Sequence, residues 1–233
     1  MNTVLTLTQK QIYAELIQEQ SRDHAYVGRW SSDRFGLIDW DVVWTSLHNQ
    51  FFTETTKSAI WKQIHLNFLT THNFNVWFNM LNPCPLCRKI PDNVSHIVID
   101  CNFTKVMWRR LEKSLIRITP KPLTVHEMAF GLKEPKQEKY PVILRNWITF
   151  TLRQLIMLEE RKVYKMNIDS DDIVTPSPEK FWAKFNFEAT LELKYKKLLY
   201  DFQGLSEKFK AIVTVNGAIA TVVNGEFHWQ DIL

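Results

Sequence analysis

Three cysteines and a histidine, Cys84, Cys87, His96 and Cys101, stand in a C-x2-C-x8-H-x4-C pattern that uses every cysteine of the chain. Thiolate and imidazole donors suit the tetrahedral preference of Zn²⁺. Four protein ligands fill its coordination shell, so the pattern predicts one structural zinc rather than a catalytic one. No cysteine is left for a disulfide. Thiolate ligands need a reducing compartment, and the expected location is the nucleus or cytoplasm.

Other chemistry is hard to assemble from the remaining residues. Pro83-Cys84-Pro85-Leu86-Cys87 also fits half of a nucleobase deaminase signature, which needs an upstream H-x-E for the proton shuttle. The upstream histidines read His48-Asn49-Gln50, His65-Leu66-Asn67 and His72-Asn73-Phe74, so that glutamate is missing. There is no H-E-x-x-H, no phosphate-binding glycine loop and no G-x-S-x-G. Asp169, Asp171 and Asp172 fall in a polar stretch that reads as a solvated loop. Asp92 with Glu112 and Lys113 makes no nuclease core, and His65 and His72 lack further ligands. The expectation is a non-enzyme with no small-molecule substrate.

The elements that would position the Cys/His group are mostly helices. Thr8 is a candidate N-cap for a first helix carrying Ile12, Tyr13, Leu16 and Ile17. A Ser-, Asp- and Gly-containing stretch at 21–36 reads as a loop. Helical spacing returns at 39–52 (Trp40, Val43, Trp44, Leu47) and 55–69 (Ile60, Trp61, Ile64, Phe68), and 74–81 leads into the cysteines. Beyond Cys101, 103–117 is amphipathic. Val106, Met107, Arg110, Leu111, Ser114 and Leu115 follow one winding, Lys105, Arg109, Glu112, Lys113 and Arg117 project outward, and Pro120 and Pro122 end the run. Further helices are expected over 140–165 and 181–202, joined by a polar, proline-bounded linker at 167–178. In the tail, 211–215 and 218–223 flank Asn216-Gly217 and read as a β-hairpin; Asn224-Gly225 repeats the turn signal before Glu226-Phe227-His228-Trp229.

The expected architecture is mainly α, a helical domain around a small CCHC zinc loop with a C-terminal β-hairpin. Its parts are a helical lead-in (1–81), the zinc loop with its basic helix (82–118), a helical region (119–203) and a hairpin tail (204–233). With 233 residues and 45% hydrophobic content, an ordered core forms without disulfides. No apolar run is long enough for a membrane span, and the start lacks the pattern of a secretory signal.

The net charge of +4 is unevenly spread. Residues 101–165 hold 14 Lys and Arg against 6 Asp and Glu, whereas the segments on either side are net negative. A clustered basic segment is the usual electrostatic footprint of a polyphosphate partner, although solvated helix faces also collect such charge.

The cysteine segment and its surroundings resemble the carboxy-terminal region of non-LTR (LINE-type) retrotransposon reverse transcriptases. The matching residues are Cys84-Pro85-Leu86-Cys87, Val94-Ser95-His96-Ile97-Val98, Cys101 and Trp108. The flanks 7–13 and 59–65 are similar to the helical lead-in of that region, and Arg145-Asn146-Trp147-Ile148-Thr149-Phe150 with Arg153 to its downstream helix. The resemblance implies zinc on Cys84, Cys87, His96 and Cys101, and binding of RNA or DNA. It leaves open an isolated retrotransposon fragment or a host-adopted derivative. No Tyr-x-Asp-Asp-type polymerase pair is present. The eight-residue spacer exceeds that of retroviral zinc knuckles, so their guanine-reading chemistry is not implied.

Two functions follow as expectations. One is a nucleic-acid-binding module in which Lys105, Arg109, Lys113 and Arg117 meet phosphates and Arg88 and Lys89 extend the positive edge. The other is a zinc-stabilised protein-interaction scaffold, favoured by an apolar patch around Phe227 and Trp229 if that patch is exposed.

Overall fold

The computed structural model describes residues 38–65, 83–89, 94–132, 138–168, 174–224 and 226–230. The expected first helix at Thr8–Ile17, the loop at 21–36, the end of the expected 55–69 helix, the stretch 74–81 and residues 169–173 of the linker lie outside these residues. From Asp39 onward the described residues belong to one unit of chain contacts.

Local signals start most helices where the sequence places them. Asp39 caps α1 (Trp40–Leu47), its Oδ1 accepting from the Val42 amide at 3.2 Å. Thr53 does the same for α2 (Glu54–Ile64) through the Thr56 amide. Next come a one-turn π-helix (His96–Asp100) and α3 (Asn102–Ile118). Thr124 caps α4 (Val125–Phe130). The 30-residue α5 (Lys139–Ile168) follows, and then α6 (Pro178–Phe202), with Ser177 as N-cap and proline in its first turn, where a missing N–H costs no hydrogen bond.

α5 is the axis of the unit. Residues 142–153 are buried without interruption, so the helix is covered on every side. It touches α2, α3, α4, α6 and the π turn. Aromatic rings knit α6 to this axis: Phe51 meets Trp147 edge-on at 5.8 Å and Tyr200 at 6.1 Å. The Trp147 indole donates to Glu192 at 3.0 Å. Lys196 is buried beside them and donates to the Phe51 carbonyl and Glu192; burial lowers its pKa.

The tail departs from the expected register. Residues 211–213 end a helix, α7 (Ser206–Val213), rather than forming a strand. Phe209, Ile212 and Val213 follow helical spacing and are buried, which outweighs the β-branched character of 212–215. Asn216 and Gly217 do adopt positive φ, but in a 3-10 turn whose Asn216 amide donates to the Ile118 carbonyl at the end of α3. The antiparallel hairpin forms one turn signal later, between β1 (Ala220–Val223) and β2 (Glu226–Trp229), with Val223 opposite Glu226. The expected mainly helical fold with a C-terminal hairpin is present, with the hairpin shifted.

Gly131 ends α4 at φ 77°. A Cβ there would lie 2.9 Å from the Phe150 ring and 3.1 Å from the Asn146 amide oxygen. That Asn146 side chain clamps Leu132 through two hydrogen bonds of 2.7 and 2.9 Å. Gly131→Ala is expected to cost about 1–3 kcal/mol, read as a lower urea midpoint with an unchanged slope.

Candidate metal centre

The Cys84–Cys87 turn closes on itself. The Arg88 amide donates to the Cys84 carbonyl at 2.7 Å, and the Cys84 amide to the Lys89 carbonyl at 3.0 Å. Arg88 takes positive φ, 63°, to complete that turn. This holds the two thiols on one side of a tight loop.

The other two ligands come from the π turn. The Cys101 amide donates to the His96 carbonyl at 2.7 Å, five residues back, so the widened turn carries His96 at its start and delivers Cys101 just past its end. Ile97, Val98 and Ile99 are buried between, which anchors the turn on α3, α4 and α5. Trp108 fixes it from α3, its indole N–H donating to the Val98 carbonyl at 2.6 Å. Cys101 is also the N-cap of α3, so one ligand is continuous with that helix.

The ligand atoms of Cys84, Cys87, His96 and Cys101 lie within 4.8 Å of one another. Cys84 and Cys101 Sγ are 4.0 Å apart, and Cys87 Sγ lies 3.3 Å from His96 Nε2. In a tetrahedron with Zn–S bonds near 2.3 Å, the sulfurs stand about 3.8 Å apart, so the side chains already span a space of the right size. Cys84 and Cys101 are buried and Cys87 is half-buried. The group could hold a metal ion.

Its electrostatics favour anionic sulfur at one corner. Hydrogen bonding from Cys84 pulls the Cys101 thiol down to about 4 against its burial, helped by His96 and the Thr104 amide at the helix start. The Cys87 thiol is pushed up, chiefly by burial. Three sulfurs converge here, and a cation among them would relieve the crowding of their charge.

The six cations expected beside this centre divide into two groups. Lys105, Arg109, Lys113 and Arg117 are all exposed and recur every fourth residue along α3, on one face. Lys105 sits 3.9 Å from Asp100. Arg109 and Lys113 make no ion pair or hydrogen bond among the described residues. Lys89 is exposed. Arg88 is turned elsewhere: half-buried, it donates to the Val174 carbonyl at 3.2 Å and so ties the cysteine turn to the chain entering α6. Asn167 grips the same Val174 through its amide and carbonyl, which closes the ends of the expected linker.

The inward side of α3 is broader than the spacing predicts. Phe103, Thr104, Met107, Trp108, Leu111, Leu115 and Ile118 are buried, while Val106, Arg110 and Ser114 are only half-covered. Arg110 pairs with Glu179 at 2.9 Å and sits over the Trp182 ring. Two cations of the basic segment, Arg145 and Arg153, are in the core and add nothing to the surface field. Phe227 and Trp229 stack on each other and meet Phe209 edge-on, which leaves both half-buried.

No helix among the described residues is long and apolar enough to cross a membrane. Comparison of the chain with protein-family models, curated proteins and solved structures found no match.

Proposed function

We propose that this chain is a non-catalytic, zinc-stabilised module that binds the backbone of RNA or DNA, derived from the carboxy-terminal region of a LINE-type reverse transcriptase. The observation that carries it is the exposed cation row of α3, a helix whose N-cap is itself a ligand of the Cys3His group. Metal at Cys84, Cys87, His96 and Cys101 would fix the start of α3, and Lys105, Arg109, Lys113 and Arg117 would then reach phosphates from one rigid face. Zinc suits the three sulfurs and one imidazole, and the closed donor set leaves no position for a reacting water. Phosphate contacts position a protein without reading bases, so shape or strandedness would govern preference.

Arg109→Glu with Lys113→Glu is expected to weaken binding at least about 10-fold and make the salt slope about two units shallower, with unchanged melting. Fluorescence anisotropy of zinc-loaded protein against structured RNA, single strands and duplex DNA over a salt series provides both numbers. Equal affinity and slope in the variant would reject this face. Absence of binding at low salt to every form would reject the function.

A further inference from the structure

The most exposed large apolar side chains of the described residues share one helix. On α6, Phe187 is 69% exposed, Leu191 56%, Tyr195 61%, Leu198 67% and Phe202 90%. The opposite side of α6, with Phe181, Phe185, Ala189, Leu193, Lys196 and Tyr200, is buried against the core. The helix is thus apolar on two faces, and one of them is presented to solvent. Steps of four, four, three and four residues keep the outer five within a narrow stripe about 22 Å long.

We propose that the chain forms a symmetric dimer in which this stripe packs antiparallel against the same stripe of a second copy. A two-fold interface must be self-complementary, each residue meeting a partner that meets it in return. The stripe satisfies that condition about a midpoint between Lys194 and Tyr195. Phe187 and Phe202 are equidistant from the midpoint, as are Leu191 and Leu198. In the antiparallel arrangement, therefore, phenylalanine faces phenylalanine and leucine faces leucine of the other copy.

Lys184 and Asp201 flank the stripe and are each paired within their own helix, with Glu188 and Lys197, so the direction is set by the phenylalanine and leucine symmetry. Antiparallel helices also align their macrodipoles favourably.

The area is of the right order. Five side chains of this size and exposure present roughly 600 Å² per chain, at the upper end of what a monomer leaves bare and near the 800 Å² per partner of an ordinary interface. A groove of about 600 Å³ beside the stripe, lined by Leu155, Leu158, Leu191 and Tyr195, extends the apolar surface toward α5.

Sedimentation velocity across micromolar to submillimolar concentrations is expected to show a monomer–dimer equilibrium. Leu191→Glu with Leu198→Glu should raise its dissociation constant by at least about 100-fold. Because both leucines are exposed, circular dichroism and nucleic-acid affinity per chain should be preserved, separating this result from the fate of the phosphate-binding face. Mixing Phe187→Cys and Phe202→Cys chains under mild oxidation should give a 187–202 crosslink between copies, mapped by mass spectrometry. A monomer at every concentration, a dimer indifferent to the double substitution, or a preferred 187–187 crosslink would each overturn the proposal.

Discussion

Cys101→Ser is expected to abolish stoichiometric zinc binding and lower the melting midpoint by roughly 10–20 °C. Metal binding to a Cys3His site is coupled to folding, and in small zinc modules it supplies on the order of 10 kcal/mol. Here only part of the unit depends on it, so the loss should be several kcal/mol against a total of about 5–15. Cys101 is the most sensitive ligand because it is buried, ends the π turn and begins α3. Its loss would free the first turn of the helix that carries the cation row. Cys87→Ser, at the half-buried corner, should lower stability in the same direction. Metal content by plasma mass spectrometry and thermal melts with and without chelator check both. A metal-free chain that melts like the loaded one would refute a structural zinc.

How much of this was legible in the chain depends on whether the signal was local. The four ligands converge as their spacing predicts, because tight turns and short connections fix where Cys84, Cys87, His96 and Cys101 can go. The helices near 40, 55 and 181 are read from apolar spacing, whereas the caps at Asp39, Thr53 and Ser177 and the short α4 behind Thr124 went unread although their signals are local. The π turn was hidden, since one extra residue per turn leaves no compositional mark. Its stabilising contact, Trp108 to the Val98 carbonyl, follows only once the chain folds back. Arg88 reads as a surface cation in the sequence, and nothing near it signals that Val174, 86 residues away, takes its guanidinium. The hairpin shift has a local cause: two Asn-Gly pairs offered equivalent turns, and burial of Ile212 and Val213 beside Phe209 selected the later one. The α6 stripe escaped because a helix apolar on two faces shows no clear polar side.

Arg145→Met is expected to cost about 3–5 kcal/mol, although the residue lies in the middle of a basic segment and looks like a surface charge in the sequence. The side chain is fully buried and its donors are all engaged. Nε and Nη2 grip the Glu127 carboxylate, the latter at 2.9 Å. Nη1 donates to the Thr119 hydroxyl and to the Thr119 and Lys121 carbonyls, and Nη2 also to that of Pro122 at 3.1 Å. One guanidinium thereby organises the proline-bounded turn after α3, holds α4 onto α5 and neutralises a buried acid. Removing it strands the fully buried Glu127 carboxylate and unpairs the buried Thr119 hydroxyl and the Lys121 and Pro122 carbonyls at the edge of the core. Replacing Glu127 by Leu in the same chain should recover only part of the loss, because the carbonyls stay unpaired; a double-mutant cycle in urea measures that share. Arg153, two turns along the same helix, is the control. It is equally buried, but its only hydrogen bond among the described residues goes to the Ala129 carbonyl, and burial draws its pKa down to about 9 with no carboxylate opposite. Arg153→Met should therefore be near neutral or stabilising. Equal losses at the two arginines would show that burial, rather than the bonds each side chain makes, sets the energetic weight of these charges.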